Sequence, residues 1–312
     1  MINFIKIFIY KIIPSWIYYQ IAFYVKKNRL KKYKNLLNYN SDSKIIFNYL
    51  KARNSKKIFI FGSGSSINEL SKINYKEISQ NLSIGINNWV FHDFKTDFYL
   101  IELGPDESYN EKVKLRILSL LKNKLINSIF LVYISYTSSP NQSFKNRGIT
   151  NLEKVKNWMR GMDPNRVFLY EYLRPDIYKK NLSNQFLKTL KFLLKKSKKS
   201  NVLTLGIGAS LERAISLCIL LGYPKIILLG VDLINTRVFW SNKDINFKNV
   251  KNDQKTFGLH KTATDTLGRV PVQKSVLTLD KIARQHFSSR ILISTNKSLL
   301  SSKLEKYKWQ NI

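Results

Sequence analysis

The chain has 312 residues, of which 44% are hydrophobic and 13% aromatic, with a formal net charge of +33 at pH 7 and a single cysteine. That length and apolar content support a buried core and exclude a disordered polymer. One cysteine, Cys218, excludes a disulfide framework or a cysteine metal site within the chain, points to core packing, and fits a reducing compartment.

The charge implies an acidic partner. No arginine-rich arm, zinc-finger spacing or RNA-binding signature is present, so nucleic acid is not the expected one. His92, His260 and His286 are the only histidines, so a His-rich metal site is not expected.

Residues 1–25 mix Ile, Phe, Tyr and Trp with Lys6, Lys11 and Pro14, and a basic block follows from Lys26 to Lys34. No clean apolar run of about 20 residues occurs, so a membrane-spanning helix is not expected, and no small-residue cleavage site suggests a secretory signal. Aromatics followed by lysines suit a helix lying in the interface of an anionic membrane; the competing reading is a helical extension packed on the domain. We divide the chain into this extension, residues 1–40, and an α/β domain, residues 41–312. A short helix is expected over 41–54.

The next stretch organises the rest. Ile58 to Phe61 form an unbroken apolar run, as in a strand buried on both faces, and it stops at Gly62-Ser63-Gly64-Ser65-Ser66. Ser66 and Glu69 fit the spacing of a capping box. A strand, a small-residue turn and a helix start would make a site for an anionic group. The turn is neither a Walker A loop nor a full dinucleotide fingerprint.

A second strand is expected around Ile84 and Ile86, ending in the amides Asn87 and Asn88, which can read a base or a sugar. A third covers 97–102 and ends in Glu102. A helix follows over 110–124, then a strand over 128–136 around the apolar run 129–134. Residues 137–183 read as an irregular lid, except that a basic amphipathic helix begins near 184. An apolar helix over 211–221 carries Leu211, Ala214, Ile215, Cys218 and Ile219 on one stripe and ends at Gly222-Tyr223-Pro224. The strand 226–229 ends in Gly230 and Asp232, a place where an acid commonly accepts a ribose hydroxyl. A second lid is expected over 236–257, then a helix over 276–287 and a strand over 290–294. About six strands alternating with helices indicate a Rossmann-like, doubly wound α/β fold with a mainly parallel sheet.

Several blocks, in order, resemble the bacterial sialyltransferases of glycosyltransferase family 42. Gly62 to Ser66 is similar to that family's G-N-G-P-S turn, and Asn87-Asn88 to its Asn-Gln. Gly208-Ala209-Ser210 followed by Leu221 to Asp232 resembles its T-S-G and L-G-Y-K-E-I-Y-L-S-G-I-D segments. Gly258 to Asp265, with His260, resembles G-H-S-K-N-T-D, and Ser294 to Leu300 resembles C-P-N-S-L-L. A pterin-pyrophosphokinase-like family shares the first and third blocks.

The resemblance implies a GT-A-variant-like fold and an inverting transfer of sialic acid or a Kdo-like nonulosonate from a CMP-sugar to a cell-surface glycan, lipooligosaccharide or capsule. No cofactor beyond the CMP-sugar donor is implied, and no metal. His260 would be the general base. Gly62, Ser63, Gly64 and Ser66 would hold ribose and phosphate, Asn87 and Asn88 the cytidine or sugar, and Ser210, Gly230 and Asp232 the rest of the nucleotide. The family's two leaving-group tyrosines fall near Ile234 and Trp240, so Trp240 lines the donor site without a hydroxyl, and Arg237 is the candidate to neutralise the leaving phosphate, with Lys261 and Lys274 as alternatives. The family's asparagine after the third strand falls near Glu102. The expected partners are a CMP-activated acidic sugar, a glycan or glycolipid acceptor and the anionic inner face of a membrane; homo-oligomerisation is left open. The alternatives are a phosphate-transfer enzyme on the same fold and a non-enzymatic module binding anionic glycan or nucleic acid.

Overall fold

A computed structural model describes residues 14–37, 55–103, 107–123, 127–134, 152–175, 181–197, 203–206, 209–233 and 270–310. The expected helix over 41–54 and the whole of the second lid, 236–257, lie outside these residues, as do Arg237, Trp240 and His260.

Ten strands are described: β1 (Lys57–Phe61), β2 (Leu82–Ile86), β3 (Phe98–Leu103), β4 (Ile129–Ile134), β5 (Val167–Leu169), β6 (Glu171–Leu173), β7 (Leu203–Leu205), β8 (Lys225–Leu229), β9 (Arg290–Ile293) and β10 (Glu305–Lys306). Eight form one sheet in the order β10-β9-β8-β1-β2-β3-β4-β5, with every pairing parallel. β6 and β7 form a separate parallel pair. The helices are α1 (Ser15–Leu37), α2 (Lys72–Ser79), α3 (Glu107–Lys122), α4 (Leu152–Met159), α5 (Leu182–Ser197), α6 (Ser210–Leu220) and α7 (Val272–His286).

The strands carry apolar residues on both faces because both faces are covered. Ile58, Ile60, Leu82, Ile84, Ile226 and Leu228 face a layer containing Leu190 and Leu193 of α5, Ala214 and Ile215 of α6, and Val276 and Leu279 of α7. Phe59, Phe61, Tyr99, Ile101, Ile227 and Leu229 face the opposite layer, with Ile78 of α2, Val113 and Ile117 of α3, and Trp158 and Met159 of α4. Cys218 lies in the first layer, buried, and its thiol pKa is pushed up by burial. Truncating a fully buried side chain such as Leu228 to alanine costs about 2–5 kcal/mol.

The structure corrects the expected layout in three places. The sheet is larger than the six strands expected. The segment read as a lid is body of the fold over 152–175: α4 packs beneath the sheet, Val167–Leu169 adds the edge strand β5, and Tyr170 leads directly into β6. Burial explains this, since Val167, Phe168, Leu169, Tyr170, Tyr172 and Leu173 are all at most 5% exposed. The third concerns Ser66 and Glu69, which make no capping box. Residues Ser65–Glu69 form a short 3-10 turn, and the box is built one step later, where Ser71 Oγ accepts from Asn74 N (3.2 Å) and Asn74 Oδ1 accepts from Ser71 N (2.8 Å).

α1 packs on the body by one stripe. Tyr19 and Leu30 are buried, Tyr19 Oη donates to Gln185 Oε1 (3.1 Å), the Phe23 and Phe192 rings meet edge to face at 5.7 Å, and Lys26 pairs with Glu171 at 3.0 Å. No described helix is long and apolar enough to cross a membrane.

Candidate active site

Chain order reverses direction in the sheet between β1 and β8, so the carboxyl ends of these two strands bound the crevice where ligands bind in open α/β sheets. Gly62 follows β1 and Gly230 follows β8. The ladder continues past both strands, since Gly62 N donates to Leu229 O and Gly64 N to Gly230 O, each at 2.8 Å. A side chain at Gly64 would put its Cβ 2.5 Å from Asp232 Oδ2. Gly230, at φ +61°, would bring a Cβ to 2.5 Å from Ile67 Cγ1. The glycines are therefore required by the close approach of two strand ends and of Asp232.

Asp232 fills the turn. Its Oδ2 accepts from Ser66 N at 3.0 Å, and its Oδ1 accepts a short bond from Ser66 Oγ. The N–H and hydroxyl of Ser66, expected to meet a phosphate, are committed to a carboxylate of the chain itself. The loop 295–300 seals the other side: Ser298 Oγ donates to Val231 O (2.5 Å), Leu299 N donates to Asp232 O (3.1 Å), and exposed Lys297 pairs with Glu69.

One strand over, the end of β2 is held by Asn87 in a left-handed conformation at φ +48°. Its Nδ2 donates to Ser210 Oγ (3.2 Å), at the start of α6, and its Oδ1 accepts from Glu102 N (3.0 Å), in β3. Asn87 thus latches three elements together. Asn88 Oδ1 accepts from Tyr109 Oη at 2.8 Å. Neighbouring strands lie about 4.8 Å apart, so this latch adjoins the Gly62 turn.

Glu102 is the centre of the second half of the site. Its Oε2 accepts from Ser210 Oγ (3.1 Å) and from Arg213 Nη1 (2.9 Å). The Arg213 side chain is 1% exposed, whereas that of Glu102 is 32% exposed. The guanidinium of Arg213 lies over the ring of Tyr172 at 4.0 Å and over that of Tyr133 at 4.8 Å. The same Tyr172 ring also meets Arg174 at 5.7 Å and Lys26 of α1 at 5.4 Å, and Arg174 Nη2 donates to Tyr172 Oη at 3.1 Å. Gly206 makes room for this, since a Cβ there would stand 2.8 Å from Arg213 Cγ.

Burial alone would favour a neutral Arg213, but Tyr170, Glu102 and Tyr172 outweigh it and raise its pKa. Burial likewise acts to raise the pKa of Tyr172, and the charges of Arg213 and Arg174 overcome it, so this phenol lies below its ordinary value. Burial pushes the pKa of Tyr170 up, and the nearby charge of Arg213 opposes this only in part.

Of the residues proposed from sequence, Gly62, Ser63, Gly64, Ser66, Gly230 and Asp232 gather at the switch point, and Asn87 and Ser210 meet in the adjoining latch, with Asn88 next to it. Sequence reasoning missed Arg213, Tyr133, Tyr172 and Arg174. The signal available for Arg213 was a Glu-Arg pair inside an otherwise apolar helix, Ser-Leu-Glu-Arg-Ala-Ile-Ser-Leu-Cys-Ile-Leu. Of the other two histidines, His92 is buried, stacks on Trp89 at 4.0 Å and accepts from Phe94 N at Nδ1, while His286 is exposed at the end of α7.

No protein-family model matches the chain, and no curated protein matches it.

Proposed function

We propose that the chain is a glycosyltransferase that moves a sialic-acid-like or Kdo-like nonulosonate from a CMP-activated donor to a cell-surface glycan. The observation that carries the reading is the meeting of four blocks distant in sequence at one sheet edge: the Gly62–Ser66 turn bonded to Asp232, and Asn87 bonded to Ser210 beside it. These are the blocks through which the sequence resembles the CMP-sialic acid transferases. Their position at the β1/β8 switch point suits a nucleotide.

In this reading His260 takes the proton of an acceptor hydroxyl as that oxygen attacks the anomeric carbon. The bond from that carbon to the phosphate oxygen breaks, CMP leaves with the electron pair, and the centre inverts. Arg237 neutralises the departing phosphate.

The exposed stripe of α1 supports a working position at an anionic bilayer. Trp16, Ile21, Tyr24 and Val25 are 54–66% exposed, with Lys27 and Lys31 exposed further along the same helix, and α1 contains no acidic residue. Trp and Tyr favour the headgroup level and lysines favour anionic lipid.

Thermal-shift titration with CMP, CDP, UDP and ATP–magnesium tests the nucleotide reading. Selective stabilisation by CMP is expected, and His260→Ala should retain CMP binding while losing transfer. Stabilisation by ATP–magnesium alone would overturn the reading in favour of phosphate transfer.

A further inference from the structure

The hydroxyl-accepting residue of the site, on the sequence reading, is Asp232. In the folded chain both of its oxygens already accept from Ser66. Glu102 is differently placed. Only its Oε2 is engaged, by Ser210 and Arg213, and no bond to Oε1 occurs among the described residues. The side chain is one-third exposed at the carboxyl edge of β3, beside the Asn87–Ser210 latch.

Its orientation is fixed from behind. Arg213 cannot swing away, because its guanidinium is stacked on Tyr133 and Tyr172 and its stem lies against Gly206. The buried Arg213 guanidinium holds Oε2 from the interior side and leaves the rest of the carboxylate at the exposed edge.

A carboxylate so held accepts hydrogen bonds and repels anions. It therefore suits a ligand's hydroxyls rather than its phosphate or carboxyl groups. With Oε2 already accepting twice, the two lone-pair directions of Oε1 match two adjacent hydroxyls, each bond being the short, charge-assisted O–H···O⁻ kind. We propose that Glu102, positioned by Arg213, is the binding site for a vicinal diol of the ligand. Resting on the nucleotide-sugar reading above, the proposal assigns diol recognition to the end of β3 and leaves Asp232 as the internal brace of the glycine turn. The diol has two sources in a CMP-sugar, the ribose and the transferred sugar, and they are separable.

The test is calorimetric titration of the full chain and of Glu102→Gln, which keeps the side chain's shape, with CMP, 2′-deoxy-CMP and CMP–sialic acid. ATP, 2′-deoxy-ATP, UDP and 2′-deoxy-UDP are run alongside. If the ribose is the diol, CMP binds about tenfold or more tighter than 2′-deoxy-CMP, and Glu102→Gln removes the difference. If the sugar is the diol, the two nucleotides bind alike, CMP–sialic acid binds tighter than CMP, and that advantage disappears in Glu102→Gln.

A folded Glu102→Gln chain that binds all ligands as the parent does overturns the proposal. A preference for ATP or UDP over the deoxy form, lost in Glu102→Gln, with no CMP binding, sinks the CMP-donor reading and leaves the diol site standing. Absence of binding by every nucleotide overturns both. Should Glu102→Gln not fold, equal affinity of the parent chain for ribo and deoxy forms, together with no gain from the sugar, overturns the proposal without the variant.

Discussion

Ser66 and Asp232, 166 residues apart, are joined twice: Asp232 accepts the backbone N–H of Ser66 at 3.0 Å and its hydroxyl through a short second bond. This pair closes the glycine turn on the strand β8 across the switch point. It makes the turn a fixed edge of the crevice, with the carboxylate of Asp232 in the place where a bound anion was expected.

Removing Asp232 should therefore act on stability as well as on binding. Asp232→Ala leaves the N–H and hydroxyl of the 5%-exposed Ser66 without their acceptor and is expected to destabilise the fold by about 1–3 kcal/mol. Ser66→Ala keeps the backbone bond but strands Oδ1 of the 4%-exposed Asp232, and should also cost about 1–3 kcal/mol. Urea unfolding of the three proteins measures both values, and equal stability of Asp232→Ala and the parent would contradict the brace.

Gly64→Ala and Gly230→Ala should damage the same edge by steric means. The first pushes a methyl against Asp232 Oδ2, and the second collides with Ile67 Cγ1 while forcing alanine to φ +61°. Each is expected to cost about 1–3 kcal/mol. Gly222→Ala is the control: φ there is +80°, but nothing lies within 4 Å of the added carbon, so only the backbone strain is expected. Thermal unfolding of all three separates crowding from strain.

Glu77 should give the fold an acid limit. It is 1% exposed and accepts from Lys57 Nζ (2.8 Å), Gln310 N (3.0 Å) and, through a short bond, Tyr307 Oη. Burial pushes its pKa up, but Lys57, Tyr307 and Gln310 together hold it below the ordinary value. A folded-state pKa lower than the unfolded one adds stability above the unfolded value, near 4.3, and that stability is lost as pH falls through the folded value. Glu77→Gln is expected to lose about 2 kcal/mol at pH 7 and much less at pH 3. Urea midpoints at the two pH values test this, and a loss independent of pH would exclude the ionised carboxylate as its source.

The exposed stripe of α1 should bind anionic vesicles. Replacing Trp16 and Tyr24 with serine, or Lys27 and Lys31 with glutamate, is expected to weaken sedimentation with phosphatidylserine-containing vesicles several-fold, the lysine changes more strongly at low salt. None of these side chains is in the buried stripe, so thermal stability should change little. Unchanged vesicle binding in both double variants would remove α1 as the contact.

Much of the architecture was legible in the chain. Ile58–Phe61, Ile226–Leu229 and the run 129–134 announce buried parallel strands, because a strand covered on both faces must be apolar at every position, whatever its neighbours. The α6 stripe with its Gly222 and Pro224 stop is equally local, and so are the Gly62–Ser66 turn and the amide pair Asn87-Asn88.

Tertiary structure alone decided how these pieces meet. No local rule connects Ser66 to Asp232 or Glu102 to Arg213, since the bonds span 166 and 111 residues and depend on strand order. The polar appearance of 137–174 hid β5 and β6, whose short apolar runs gain their stability only at the sheet edge and beside β7. The gathering of Arg174, Arg213 and Lys26 on one tyrosine ring has the same origin. A charge reads from sequence as surface, and only the fold brings the aromatic faces and carboxylates that make a buried cation stable.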